Sequence, residues 1–217
     1  KMVHTPLRSF TGGGPSVLNE LMLKAESLMD IGHYAEAADR YEAASQMAPS
    51  NPLPLIGKGD ALLAAGNYRS AALALLQGLA RADHTPGLAA ALFRRLDLTA
   101  LMGGGEIIDM RRADIMSQLQ QRETPELRFL LGYLEYHSGD RAHGLENLKR
   151  AAENPRADAL IARYPALLET ESPTLPSGEP SIFQPHETVP LSPAQLPESA
   201  SQPTRPAANE LVVPPRE

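Results

Sequence analysis

The residues whose types could do chemistry are two glycine triplets, six histidines and a scatter of carboxylates, and none is spaced for catalysis. Gly12-Gly13-Gly14 and Gly103-Gly104-Gly105 are not followed by the Gly-Lys-Ser/Thr of a phosphate loop, and neither follows a strand-like run. A linker and a long turn between helices are the expected roles. His33 falls in a turn, His84 in a loop, His137 and His143 on either side of a turn, and His4 and His186 in terminal stretches. No pair has the i, i+4 spacing of a helical zinc site, so these read as surface histidines and no metal or cofactor is expected. The chain has no cysteine, which excludes disulfides, thiolate nucleophiles and Cys-based zinc sites. The expected protein is not an enzyme.

What the residues do show is a repeat. Ala25, Leu28, Gly32, Tyr34, Ala37, Tyr41 and Ala44 are followed 34 residues later by Gly59, Leu62, Gly66, Tyr68, Ala71, Leu75 and Gly78. Small positions recur as small and large positions as large. A period of this length belongs to stacked helix-turn-helix units, which bury their apolar faces only against one another. Helices are predicted over 16–31 and 34–47, then 52–65 and 68–81, with turns at Gly32 and Gly66. A third pair is predicted over 86–102 and 106–121, and a fourth over 124–138 and 140–153, with a capping helix at 156–168. Gly139 lies 73 residues beyond Gly66, two periods plus five, so the third pair carries the excess.

The boundaries follow from composition. Residues 1–15 read as a flexible linker, with Ser16 placed to cap the first helix, and residues 16–169 as the helical domain. Residues 170–217 hold eleven Pro, ten Ser or Thr, six Glu and two Arg, the composition of a disordered tail. The net charge of -6, with four Lys and sixteen Arg in no basic cluster, gives no footprint for nucleic acid or an anionic membrane. No apolar run reaches the roughly 20 residues of a membrane span. The compartment, cytoplasmic or exported, stays open.

Leu28, Gly32-x-Tyr34, Ala37, Tyr41, Ala44 and Pro49 resemble the tetratricopeptide repeat signature, and Leu62, Gly66-x-Tyr68 and Ala71 repeat it. Gly132, Gly139, Gly144, Leu148 and Ala151 resemble it partly, with Arg141 where a Tyr is usual. The resemblance implies an all-α array of about four helix pairs in a right-handed superhelix, whose first helices line a groove that holds a peptide or partner helix. Its groove positions fall on Asn19, Met22, Glu26, Met29 and Asp30, then on Leu53, Ile56, Asp60, Leu63 and Ala64. In the third unit they fall on Ala90, Phe93, Asp97, Ala100 and Leu101, and in the fourth on Glu126, Phe129, Tyr133, Tyr136 and His137.

Two columns result. Met22, Ile56, Phe93 and Phe129 are apolar, and Glu26, Asp60 and Asp97 are acidic, which suits a partner segment with apolar and basic side chains. Each residue alone also fits core packing or a solvated helix face. Members that capture acidic chaperone tails carry Lys, Asn and Arg to clamp carboxylates where this chain has Met22, Glu26, Ile56 and Asp60, so that role is disfavoured. The expected function is a noncatalytic protein-interaction scaffold. The alternatives are a self-assembling module that forms a homo-oligomer, and a regulatory appendage of a larger protein.

Overall fold

The computed structural model describes residues 6–11 and 16–169. The stretch 170–217, expected as a disordered tail, lies outside the described residues, as do 1–5 and 12–15. From residue 17 on, the described chain is built of helices joined by short turns and loops: α1 Val17–Asp30, α2 Tyr34–Met47, α3 Leu53–Ala64, α4 Tyr68–Ala82, α5 Leu88–Phe93, α6 Leu98–Leu101, α7 Gly105–Gln121, α8 Pro125–His137, α9 Arg141–Ala152 and α10 Ala159–Glu169.

The first two units form as their sequence dictates. Ser16 caps α1 by accepting a hydrogen bond from the Asn19 amide at 3.1 Å. Gly32 and Gly66 reverse the chain with φ of 78° and 80°, a left-handed conformation that disfavours any residue with a Cβ. Ala37 and Ala71 are completely buried where paired helices touch. The helices of the fourth unit also approach closely: a Cβ on Gly132 would lie 2.7 Å from the Gly144 carbonyl oxygen. Thr124 caps α8, with Pro125 in the first turn, where its missing N–H costs nothing.

The third unit departs from the single helix predicted over 86–102. That stretch divides into α5 and α6, separated by Arg94 to Asp97. Asp97 leaves helical geometry, with φ -123° and ψ 90°, and its carboxylate accepts the Ala100 amide as the cap of α6. A short acidic side chain satisfies a free backbone donor better at a helix start than in a helix interior. The break lets α8 pack against α4 directly, while α6 reaches α1 and α7 lies beside α3. Arg111 on α7 donates to the Ala64 carbonyl at 2.8 Å, and Tyr68 donates to Asp114 at 2.5 Å. The C-terminal α10 packs on α9 and also on α4, α5 and α8. A helix expected as an end cap is therefore also part of the core.

Candidate functional site

Met22, Met29, Ile56, Leu63, Phe93 and Phe129 come together, but inside the core, each at most 2% exposed. Asn19, Leu53, Ala64, Leu101, Tyr133 and His137 are also buried. Glu26, Asp97, Tyr136 and Ala90 are half-buried, and Asp30, Ala100 and Glu126 are exposed. Two of the apolar residues, Phe93 and Phe129, are bridged by Tyr164 of α10. Its ring stands edge-on to Phe93 and Phe129, with centroids 5.4 and 5.1 Å apart. Such edge-to-face pairs add to the apolar burial.

The acidic residues separate into two environments. Asp60 is 1% exposed. Its Oδ1 accepts the Tyr133 hydroxyl at 2.8 Å, and its Oδ2 has no hydrogen-bond partner. Burial pushes its carboxyl up to about 8, against the opposing pull of the Tyr133 hydrogen bond. His137, expected at the surface, is instead buried and 3.0 Å from the Tyr164 hydroxyl. Burial first, and the Arg141 charge second, push its imidazole down to about 3. Both groups are neutral at pH 7. They form a polar seam in the core, so Asp60 offers no charge to a partner.

Glu26 and Asp97 instead receive the chain's own N-terminal residues. Residues 6–11, an arm read from sequence as part of a flexible linker, lie against the repeats. The Glu26 carboxylate accepts the Phe10 amide at 2.6 Å, the Ser9 hydroxyl at 2.9 and 3.0 Å, and the Thr11 hydroxyl at 2.9 Å. Phe10 is 2% exposed and meets Tyr41 edge-on at 6.3 Å. Leu7 forms a parallel bridge with Leu96: its amide donates to the Arg95 carbonyl at 2.5 Å, and its carbonyl accepts the Asp97 amide at 3.2 Å. Arg8 pairs with the Asp97 carboxylate at 3.3 Å. The broken helix of the third unit thus exposes a short backbone edge, which the arm uses.

Beside this contact lies a cleft of about 610 Å³ lined by Arg94, Arg95, Arg141, Tyr136, His137 and Leu168, among others. Arg141 stands 5.7 Å from the Tyr136 ring centre, a cation–π contact. Sequence reasoning missed this cleft, although the Arg94-Arg95 pair was a visible signal.

A tetratricopeptide repeat family model matches residues 28–96. Residues 28–96 carry tetratricopeptide repeats. The match begins within α1 and stops at Leu96, where the arm bridges the broken helix. No curated protein and no solved structure matches the chain. Tetratricopeptide repeats mediate protein–protein interaction and are typically noncatalytic. Among the described residues, no helix is long and apolar enough to cross a membrane.

Proposed function

We propose that the protein is a noncatalytic interaction scaffold that holds an extended partner segment against Glu26 of the first repeat and the backbone edge at Leu96. The observation that carries this reading is the arm, an extended segment already bound there by a carboxylate, one buried aromatic ring and a backbone bridge. Its Arg8 and Phe10 have the basic and apolar character that suits this face. Adding an extended segment to a free backbone edge is a general mode of peptide recognition, with side-chain pockets supplying selectivity.

The test selects peptides from a random display library on the full chain and maps them by amide chemical shifts. Selected peptides should move Glu26 and the Leu96 and Asp97 amides. The second helices α2 and α4 expose Met47 and Leu73 at 53% and 58%. Shifts confined to those residues, or a library that yields no binder, would count against the reading.

A further inference from the structure

We propose that the arm is a displaceable internal occupant, and that the surface beneath it accepts in trans a segment of the same chemistry: apolar, basic, hydroxyl, then aromatic. This rests on the scaffold reading and adds to it the partner's pattern and a means of control.

The arm's contacts are unequal. Pro6, Arg8 and Ser9 are exposed, Leu7 and Thr11 are half-buried, and only Phe10 is fully buried, so a single side chain anchors the segment. The bridge at Leu7 and the Phe10 amide bond to Glu26 use backbone atoms and would serve any extended chain. The two hydroxyls on Glu26, the Arg8–Asp97 pair and the Phe10 ring are what select a sequence. The Arg8 and Asp97 side chains are 68% and 26% exposed, so water and salt compete for that pair and a partner's cation exchanges with it readily.

Only residues 12–15 separate the arm from the cap of α1. A connection that short keeps the arm near its surface at an effective concentration on the order of millimolar. A partner must therefore outcompete it, and its apparent affinity is reduced by the fraction of chains whose arm is away. Ser9 is the point of control, because its hydroxyl faces both oxygens of Glu26. A negative charge at that position replaces a hydrogen bond shared between those two oxygens with repulsion and favours the released arm.

The experiment uses the full chain and a dye-labelled synthetic peptide of residues 4–13, read by fluorescence anisotropy. Wild type should bind the peptide weakly, and Ser9→Asp and Phe10→Ala should each bind it about tenfold more tightly or better. A peptide carrying Ala in place of Phe10 should not bind, and Glu26→Gln added to Ser9→Asp should return affinity toward the wild-type value. Phe10→Ala opens a gap in the core, so if circular dichroism shows it unfolded, the surface variant Ser9→Asp decides. Equal weak binding by wild type and Ser9→Asp would overturn the proposal. Tight binding indifferent to both Glu26→Gln and the peptide's Phe would also overturn it. A concentration-dependent dimer that Ser9→Asp abolishes supports it, with a second copy supplying the arm. Display-selected peptides that bind at Met47 or Leu73, with no uptake of the arm peptide, would overturn this inference and the placement of the site while leaving a scaffold.

Discussion

Glu26 and Asp60 occupy the same position in successive repeats, 34 residues apart, yet their surroundings have little in common. Glu26 is half-buried and fully engaged by the hydroxyls and amide of the arm. Asp60 is sealed beneath Tyr133 with one oxygen unpartnered. The repeat specifies the backbone on which each carboxylate stands, whereas elements from elsewhere in the chain decide what covers it. α8 brings Tyr133 over Asp60, and the N-terminal arm reaches Glu26. Equivalent positions in a repeat array are thus equivalent in the backbone alone.

The sharpest way to break this contrast is to remove the ring packed beside Tyr133, the residue that covers Asp60. Tyr164→Ala deletes a ring packed against Phe93 and Phe129 and should cost about 3–5 kcal/mol in denaturant unfolding. Unchanged stability would mean that α10 does not close the core.

Next is pH. Asp60 keeps a proton in the folded chain up to about pH 8, while the unfolded chain gives it up near 3.8, so its contribution to stability falls as pH rises between those values. His137 acts in the opposite sense. The unfolded imidazole takes a proton near 6.5 and the folded one only near 3, so stability falls as pH drops through that window. The two slopes oppose each other from about pH 4 to 6.5. Above 6.5 only that of Asp60 remains, and it removes on the order of 2 kcal/mol by pH 8. Asp60→Asn should therefore flatten the melting temperature between pH 6.5 and 8, where wild type declines. A decline equally steep in the variant would assign it to other groups.

A smaller effect tests what the two repeats share. Ala37→Leu and Ala71→Leu overfill matching helix contacts and should each cost about 1–3 kcal/mol in thermal melts. A large loss at one and none at the other would mean that the repeats pack differently at this position too. The smallest effect belongs to Glu26. Glu26→Gln keeps the acceptor but removes its charge, and should weaken the arm by about 1 kcal/mol, read as faster hydrogen exchange at the Phe10 amide with little change in global melting.

The helical repeats were legible because their signals are local: glycine turns, buried alanines and a period that registers twice. The break in the third unit had a local signal as well. Asp97 lies three residues before Ala100, in capping register, but the helix-length stretch from Leu88 to Leu101, apolar at most of its positions, outweighed it. The covering of the groove face was not legible, because Tyr164, Tyr133 and Phe10 reach it from distant parts of the chain. Leu7 and Phe10 sit in a stretch too short to show any period, flanked by proline and glycine, and such composition suggests a linker.

The packing of α10 on α4, α5 and α8, and of α6 on α1, bears on how the molecule comes apart. In a linear stack each unit touches only its neighbours, so the ends fray and the array melts piecewise. Here contacts between α1 and α6, and between α4 and α10, tie early helices to late ones. Loss of either terminal element removes support from the middle of the array, and unfolding becomes a single cooperative event.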